Sequence, residues 1–159
     1  MDRAEKIVNI IENLEGPAIS LSKLIVDKLN IIGVIPIKGL STNFEDKNLL
    51  VESIKYLKSC SLVSEIFVST DNVETAKIAK DNGARAPFIR PIELSDESVG
   101  LPDVLKYTVE EIEKFRKIDL VVIVEENYPF RPKELLTKLI NNIIEGGYDT
   151  VCASIIERR

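Results

Sequence analysis

The stretch Lys38-Gly39-Leu40-Ser41-Thr42, closed by Lys47-Asn48, gathers residue types that hold phosphate. A lysine stands at each end, Gly39 lets the backbone approach a ligand closely, and Ser41 and Thr42 bring hydroxyl groups. Lys47-Asn48 falls where a helix begins, so free backbone N–H groups and the positive end of the helix dipole would face the same anion. That combination suits a triphosphate cradle; the other reading of the same spacing is a set of solvated surface lysines. A second cluster, Glu125-Glu126-Asn127, ends a short apolar run. Adjacent carboxylates at a strand's end can hold Mg²⁺ through oxygen, but there is no Asp-x-Asp, and a solvated acidic loop fits the same residues. Tyr128 and Phe130 are expected to pack beneath that loop, and Asp96-Glu97 to lie in a surface turn.

Composition narrows the chemistry. The 159 residues include 21 Lys+Arg, 26 Asp+Glu, two Cys and no His. Without His, Ser-His-Asp and Cys-His catalysis, His-ligated zinc and imidazole acid–base chemistry are excluded. What is left is carboxylates, amines, guanidinium groups, hydroxyls, backbone amides, or a metal held by oxygen. A net charge of −5 argues against a general nucleic-acid binder, which needs a basic surplus to displace counterions from phosphate. Cys60 and Cys152 have no CxxC partner and read as two ordinary buried thiols in a reducing compartment. The charged, amphipathic start of the chain is not a signal peptide. Apolar runs such as 31–37 and 120–124 are too short to span a bilayer. The expectation is a cytoplasmic protein with no membrane partner.

The elements that must position these residues alternate in period. Residues 2–15 and 20–29 carry apolar side chains at helical spacing. Residues 31–37, IIGVIPI, read as a strand buried on both faces, 38–47 as a polar loop and 48–58 as a helix. Residues 65–69 form a second strand; Asp71 with Glu74 reads as a capping box for the next helix, which Asn82-Gly83 ends. Residues 87–90 read as a short strand, 102–117 as a helix with Leu105, Val109 and Ile112 as its core stripe, and 119–124 as a strand. Pro132 opens a further helix to Gly146-Gly147, and 150–155 is a last strand. Strands separated by helices of about a dozen residues predict an α/β, Rossmann-like three-layer sandwich: a mainly parallel sheet with helices on both faces. The domain spans 31–159, behind a helical appendage at 1–30. In such sheets ligands bind beyond the carboxyl ends of the strands, which singles out loops 38–48, 69–72, 90–103 and 125–132.

The first loop resembles the opening signature of the acylneuraminate (CMP-sialic acid) cytidylyltransferase family, of the nucleotide-diphospho-sugar transferase type. Four later stretches match the same family in order: 66–84, 88–105, 119–132 and 146–159, including Val68-Ser69-Thr70-Asp71 and Arg90-Pro91-x-x-Leu94. The resemblance implies transfer of CMP from CTP to an acidic sugar with release of pyrophosphate and with Mg²⁺ as cofactor. It assigns Lys38 and Lys47 to the triphosphate as the catalytic cations. Gly39, Ser41, Asn48, Asp71 and Arg90 become nucleotide-binding residues, and Glu125 and Arg131 substrate-binding ones. Leu40 and Thr42 stand where the family has a second Gly and a Lys, and Glu125 where it has Gln. The chain also ends at Arg158-Arg159, ahead of the dimerisation segment and a magnesium-binding Asp expected of the family. A homodimer is compatible with the resemblance. The alternative is a catalytically degenerate nucleotide- or sugar-binding domain, or an interaction domain, of the same fold.

Overall fold

The computed structural model describes residues 28–153. The helices expected over 2–15 and 20–29 lie outside the described residues, save for Lys28 and Leu29, which form a turn. The chain then enters β1 (Ile31–Ile37), the middle strand of a three-stranded parallel sheet in the order β4-β1-β5, with β4 at Glu65–Thr70 and β5 at Leu120–Ile123. The apolar run of β1 is continuous because both of its faces are covered: Ile31, Ile32, Val34 and Ile35 have no exposed surface. Ile32 lies opposite Glu65 and the register continues to Ile37 opposite Thr70, whereas the pairing with β5 runs only from Ile31–Leu120 to Val34–Ile123. The Val124 N–H to the Val34 carbonyl, 3.0 Å, is the last bond on that side. Pro36 has the same parity as Val34, so its missing N–H falls on the side where β5 has already ended. That is how a proline sits in a central strand at no cost in ladder bonds.

Alternation along β1 sorts the helices into two layers. Ile31, Ile35 and Ile37 meet α1 (Leu49–Lys58), α2 (Val73–Asp81) and α4 (Leu135–Gly146) through Leu50, Ile54, Leu57, Ala76, Ala79, Leu136 and Ile140. Ile32 and Val34, joined by Phe67 of β4, meet α3 (Leu101–Glu113) through Ile112. The three-layer α/β architecture is therefore as expected. Among the described residues no helix is long and apolar enough to cross a membrane.

Several local expectations are corrected. Residues 87–90 form no strand: Arg85 makes a single parallel bridge to Phe67, and Arg90 donates its N–H to the Thr70 carbonyl at 2.8 Å. Pro87 has no N–H to continue a ladder between these two points. A short 3-10 turn, Ile92–Ser95, follows. The first loop contains a small antiparallel hairpin, β2 (Asn43–Phe44) with β3 (Lys47–Asn48), turned at Glu45 with φ 52°. Two-residue hairpin turns need positive φ and usually announce themselves by Asn-Gly or Asp-Gly; Glu45-Asp46 gives no such signal. Helix α3 ends at Glu113 rather than 117 and buries Val104, Thr108 and Ile112, with Leu105 and Val109 at half depth. Residues 150–153 carry no strand, and the remainder of the expected last strand lies outside the described residues. Cys60 is buried as expected, but Cys152 is exposed.

Gly33 brings β1 close to α1. A Cβ there would stand 2.9 Å from both Leu57 methyl carbons, and Leu57 has no exposed surface into which to retreat. Gly33→Ala is expected to cost about 1–3 kcal/mol through overpacking, read as a lower urea midpoint, with partial recovery when Leu57→Val is added. Equal midpoints for Gly33→Ala and the parent would refute that packing.

Candidate functional site

The carboxyl ends of β1, β4 and β5 bring three loops together, and side chains from the second and third hold the backbone of the first. Gly39 takes φ +67°, a conformation that favours glycine, and turns the chain away from β1. Its N–H donates to Asp71 Oδ1 at 2.7 Å, and its carbonyl accepts from Thr75 Oγ1 at 2.8 Å. Thr75 Oγ1 also accepts the Ser41 N–H at 3.2 Å. Glu126, from the loop after β5, accepts the Thr42 N–H on Oε1 at 3.3 Å, and its Oε2 lies 2.9 Å from Ser41 Oγ. Ser41 Oγ shares its proton with Asn48 Oδ1, 3.1 Å away, and accepts the Leu50 N–H at 3.3 Å. The loop is thus held from within the chain, by side chains that follow β4 and β5.

Asp71 does not cap α2. Asn72 does, accepting the Thr75 N–H at 3.0 Å, and this frees Asp71 to reach the first loop. Burial pushes the Asp71 carboxyl up, but the Gly39 N–H, the Ser95 hydroxyl and the Arg90 charge outweigh it and hold the group below its ordinary value. Arg90, expected at the nucleoside, is 4% exposed. Its Nη2 donates to the Ile37 carbonyl at 3.2 Å and Ser95 Oγ at 3.1 Å, and its Nη1 to the Ser69 carbonyl at 3.1 Å. The guanidinium therefore ties the ends of β1 and β4 together, and burial lowers its pKa while Asp71 pulls it back up. Its Nε–H has no acceptor among the described residues.

Asn48, also expected at the nucleoside, spends its amide locally. Oδ1 caps α1 by accepting the Val51 N–H at 3.1 Å, and Nδ2 donates to Asn43 Oδ1 at 3.1 Å. Arg131 is likewise committed to the scaffold. It donates to the Glu125 carbonyl and to Ser53 Oγ (3.4 Å), with its guanidinium carbon 5.3 Å from the centre of the Tyr56 ring. Lys38 and Lys47 are exposed at the two ends of the first loop, Ser41 is half-buried, and Leu40 projects outward at 59% exposure. Glu125 is half-buried, with its carbonyl taken by Arg131.

Two expectations about the loop after β5 are overturned. Glu126 belongs to no solvated acidic loop: it is 7% exposed and bonded to the first loop. Tyr128 and Phe130 do not pack beneath the loop but stand out at 69% and 84% exposure, Phe130 meeting Phe44 edge-on at 5.9 Å. The signal for Glu126 was in the strand's alternation. Val122 and Val124 point inward, and the same period of two carries on to 126. Thr75 carried no comparable signal. Among the described residues no group of three or more carboxylates or thiols could hold a metal ion. Asp71 and Glu126 turn their oxygens on the first loop instead, so these residues do not form a magnesium cage.

A family model described as cytidylyltransferase matches residues 35–157. The chain is 28% identical over 140 residues to a CMP-N,N'-diacetyllegionaminic acid synthase of Legionella pneumophila, covering 80% of this chain and 59% of that protein. It is 26% identical over 122 residues to a pseudaminic acid cytidylyltransferase of Campylobacter jejuni, covering 71% and 53%. The chain thus spans little more than half the length of these curated relatives. Among solved structures, CMP:2-keto-3-deoxy-manno-octonic acid synthetase complexed with CTP aligns with TM-score 0.57 and 17% identity, over 74% of this chain and 48% of that one. A cytidylyltransferase from Leptospira borgpetersenii gives 0.52 and 17%, over 71% and 48%. These two likenesses support the fold.

Asp71 offers a direct check on the clamp. Its carboxyl titrates below the ordinary 3.8 in the folded chain, so its tethers stabilise the fold above that value and are lost as the pH falls through the lowered folded one. Asp71→Asn is expected to lower the neutral-pH Tm and to shrink the fall in Tm between about pH 5 and about pH 2, as followed by calorimetry. An acid limb identical to that of the parent would show that Asp71 carries no such charge-dependent tether.

Proposed function

The chain belongs to the cytidylyltransferase family, and from that premise we propose that it binds CTP and an acidic sugar and serves the transfer of CMP to that sugar. The observation that carries this reading is the preformed loop between β1 and α1, at the carboxyl end of the sheet, with Lys38 and Lys47 exposed at its two ends. A ligand in that position meets two cations that screen a polyphosphate. A hydroxyl oxygen of the sugar attacks the α-phosphorus and gives up its proton to solvent, the bond to the bridging β-phosphate oxygen breaks, and pyrophosphate leaves with the electron pair. Lys38 and Lys47 take up the charge that builds on the leaving group, Ser41 and the loop backbone fix the phosphate chain, and Arg90 acts from beneath by holding the strand ends. Mg²⁺ enters this reading as a counter-ion carried by the triphosphate, which is how Mg²⁺ is commonly held, and not as an ion caged by the chain. Acidic sugars of the legionaminic and pseudaminic type are the first candidates, from the names of the relatives.

One observation favours a second reading, binding without transfer. Asn48, Arg90 and Arg131 all spend their polar groups on the scaffold. Calorimetric titration with CTP and Mg²⁺, with ATP and UTP as controls, tests selective nucleotide binding, which both readings require. Pyrophosphate release with legionaminic and pseudaminic acids separates transfer from binding. CTP-selective heat is expected, and its absence at millimolar ligand would sink both readings. Lys47→Ala is expected to weaken CTP by roughly tenfold, the scale of one lost charge-assisted contact. An unchanged affinity would refute the cradle.

A further inference from the structure

Glu126 combines three properties. It is almost wholly buried, it belongs to no ion pair among the described residues, and both of its oxygens face donors of the first loop, Thr42 N–H and Ser41 Oγ. A buried carboxylate without a counter-charge is expensive unless its hydrogen bonds hold it. The donors it uses are of the kind a phosphate oxygen takes: a backbone N–H and a hydroxyl group in the turn ahead of a helix. A phosphate and this carboxylate cannot share them, because each brings negative charge and the same acceptor role.

We propose that Glu126 is the internal anion of the site: its carboxylate occupies the Thr42 and Ser41 donors in the ligand-free chain, and a bound phosphate chain takes its place. The inference rests on the reading of residues 38–48 as a phosphate cradle. Asp71, which occupies Gly39 in the same manner, is the fixed partner of the pair. It follows β4 directly, and the Ser95 hydroxyl and the Arg90 charge compensate it. Glu126 lacks that compensation and lies in a loop whose outer residues, Tyr128 and Phe130, are exposed. The edge-on contact of Phe130 with Phe44, 5.9 Å between ring centres, joins the same two loops at their rim. Glu126 therefore sets which anions enter. One that offers a single weak acceptor does not displace a carboxylate already in place, whereas a chain of phosphates also held by Lys38 and Lys47 does. Glu126 is a specificity-determining residue that acts by occupying the seat, not by touching the bound ligand.

The test is a sign. If Glu126 only braced the loop, its removal would weaken anion binding; if it occupies the seat, removal strengthens binding. Inorganic tripolyphosphate is titrated calorimetrically into the full chain and into Glu126→Ala and Glu126→Gln, with amide spectra recorded in parallel. Both variants are expected to bind tripolyphosphate at least about tenfold more tightly than the parent, as loss of a nearby like charge implies, and the Ser41 and Thr42 amide signals are expected to move on binding. Glu126→Gln keeps an acceptor and the side-chain volume, so it decides the matter if Glu126→Ala fails to fold. Equal or weaker affinity in Glu126→Gln, no binding in any form, or tight binding that leaves Ser41 and Thr42 unmoved would each overturn the proposal. Failure of the nucleotide reading looks different: a variant that gains tripolyphosphate while the parent ignores CTP keeps the internal anion and removes the nucleotide.

Discussion

One buried cation organises the end of the sheet where the loops meet. Parallel strands stop with carbonyl groups facing outward, and those groups need donors wherever a site is to be built on them. Arg90 supplies them, reaching the Ile37 carbonyl of β1 and the Ser69 carbonyl of β4 from a single planar guanidinium. Burying that charge costs solvation, which the three polar partners and the neighbouring Asp71 offset. With the two strand ends fixed at a set spacing, Asp71 stands within reach of Gly39. The geometry of the first loop follows from that reach.

The first loop, in turn, is a surface made of borrowed interactions. Its N–H groups at Gly39, Ser41 and Thr42 are satisfied by Asp71, Thr75 and Glu126, which come from two other loops and a helix start. Bonds of this kind restrict the loop from within the chain, and a restricted loop has less ordering cost to meet on binding. It also makes the site electrically unusual. Two carboxylates lie under a loop whose exposed ends carry lysines, so the cations face solvent and the anions face the backbone. Family membership places this arrangement among cytidylyltransferases. Leu40, where the resemblance has a second Gly, projects outward, while Glu126 turns in and holds the loop.

The parts of the architecture that were legible in the sequence depend on nearest neighbours and on period. The apolar run of β1 implied burial on both faces, and the sheet buries it so. The helical spacing over 48–58 marked α1, whose Leu50, Ile54 and Leu57 reach the core, whereas the stripe expected of α3 is fully buried only at Ile112. Reading failed where a local rule offered two candidates. Asp71 and Asn72 are both capping residues, and only the register of β4 decides that Asn72 caps and Asp71 reaches across. Arg90 reads as a ligand contact in a motif, yet the chain after Arg85 runs beside β4 and carries its side chain into the strand ends. Asn48 is taken up locally, by the Val51 N–H and Asn43, and Arg131 by the Glu125 carbonyl and Ser53 Oγ.

The sequence by itself determined the layered α/β fold, the absence of imidazole chemistry and the loop on which cations and hydroxyls gather. These are consequences of composition, hydrophobic period and residue order, which do not need the third dimension. The tertiary structure alone decided which polar side chains are free to meet a ligand. A hydrogen bond is settled by distance, and the partners that matter are far apart in the chain: Gly39 with Asp71, Ser41 with Glu126, Ile37 with Arg90. Residue types announce that a carboxylate can bind; only packing shows that Glu126 already has.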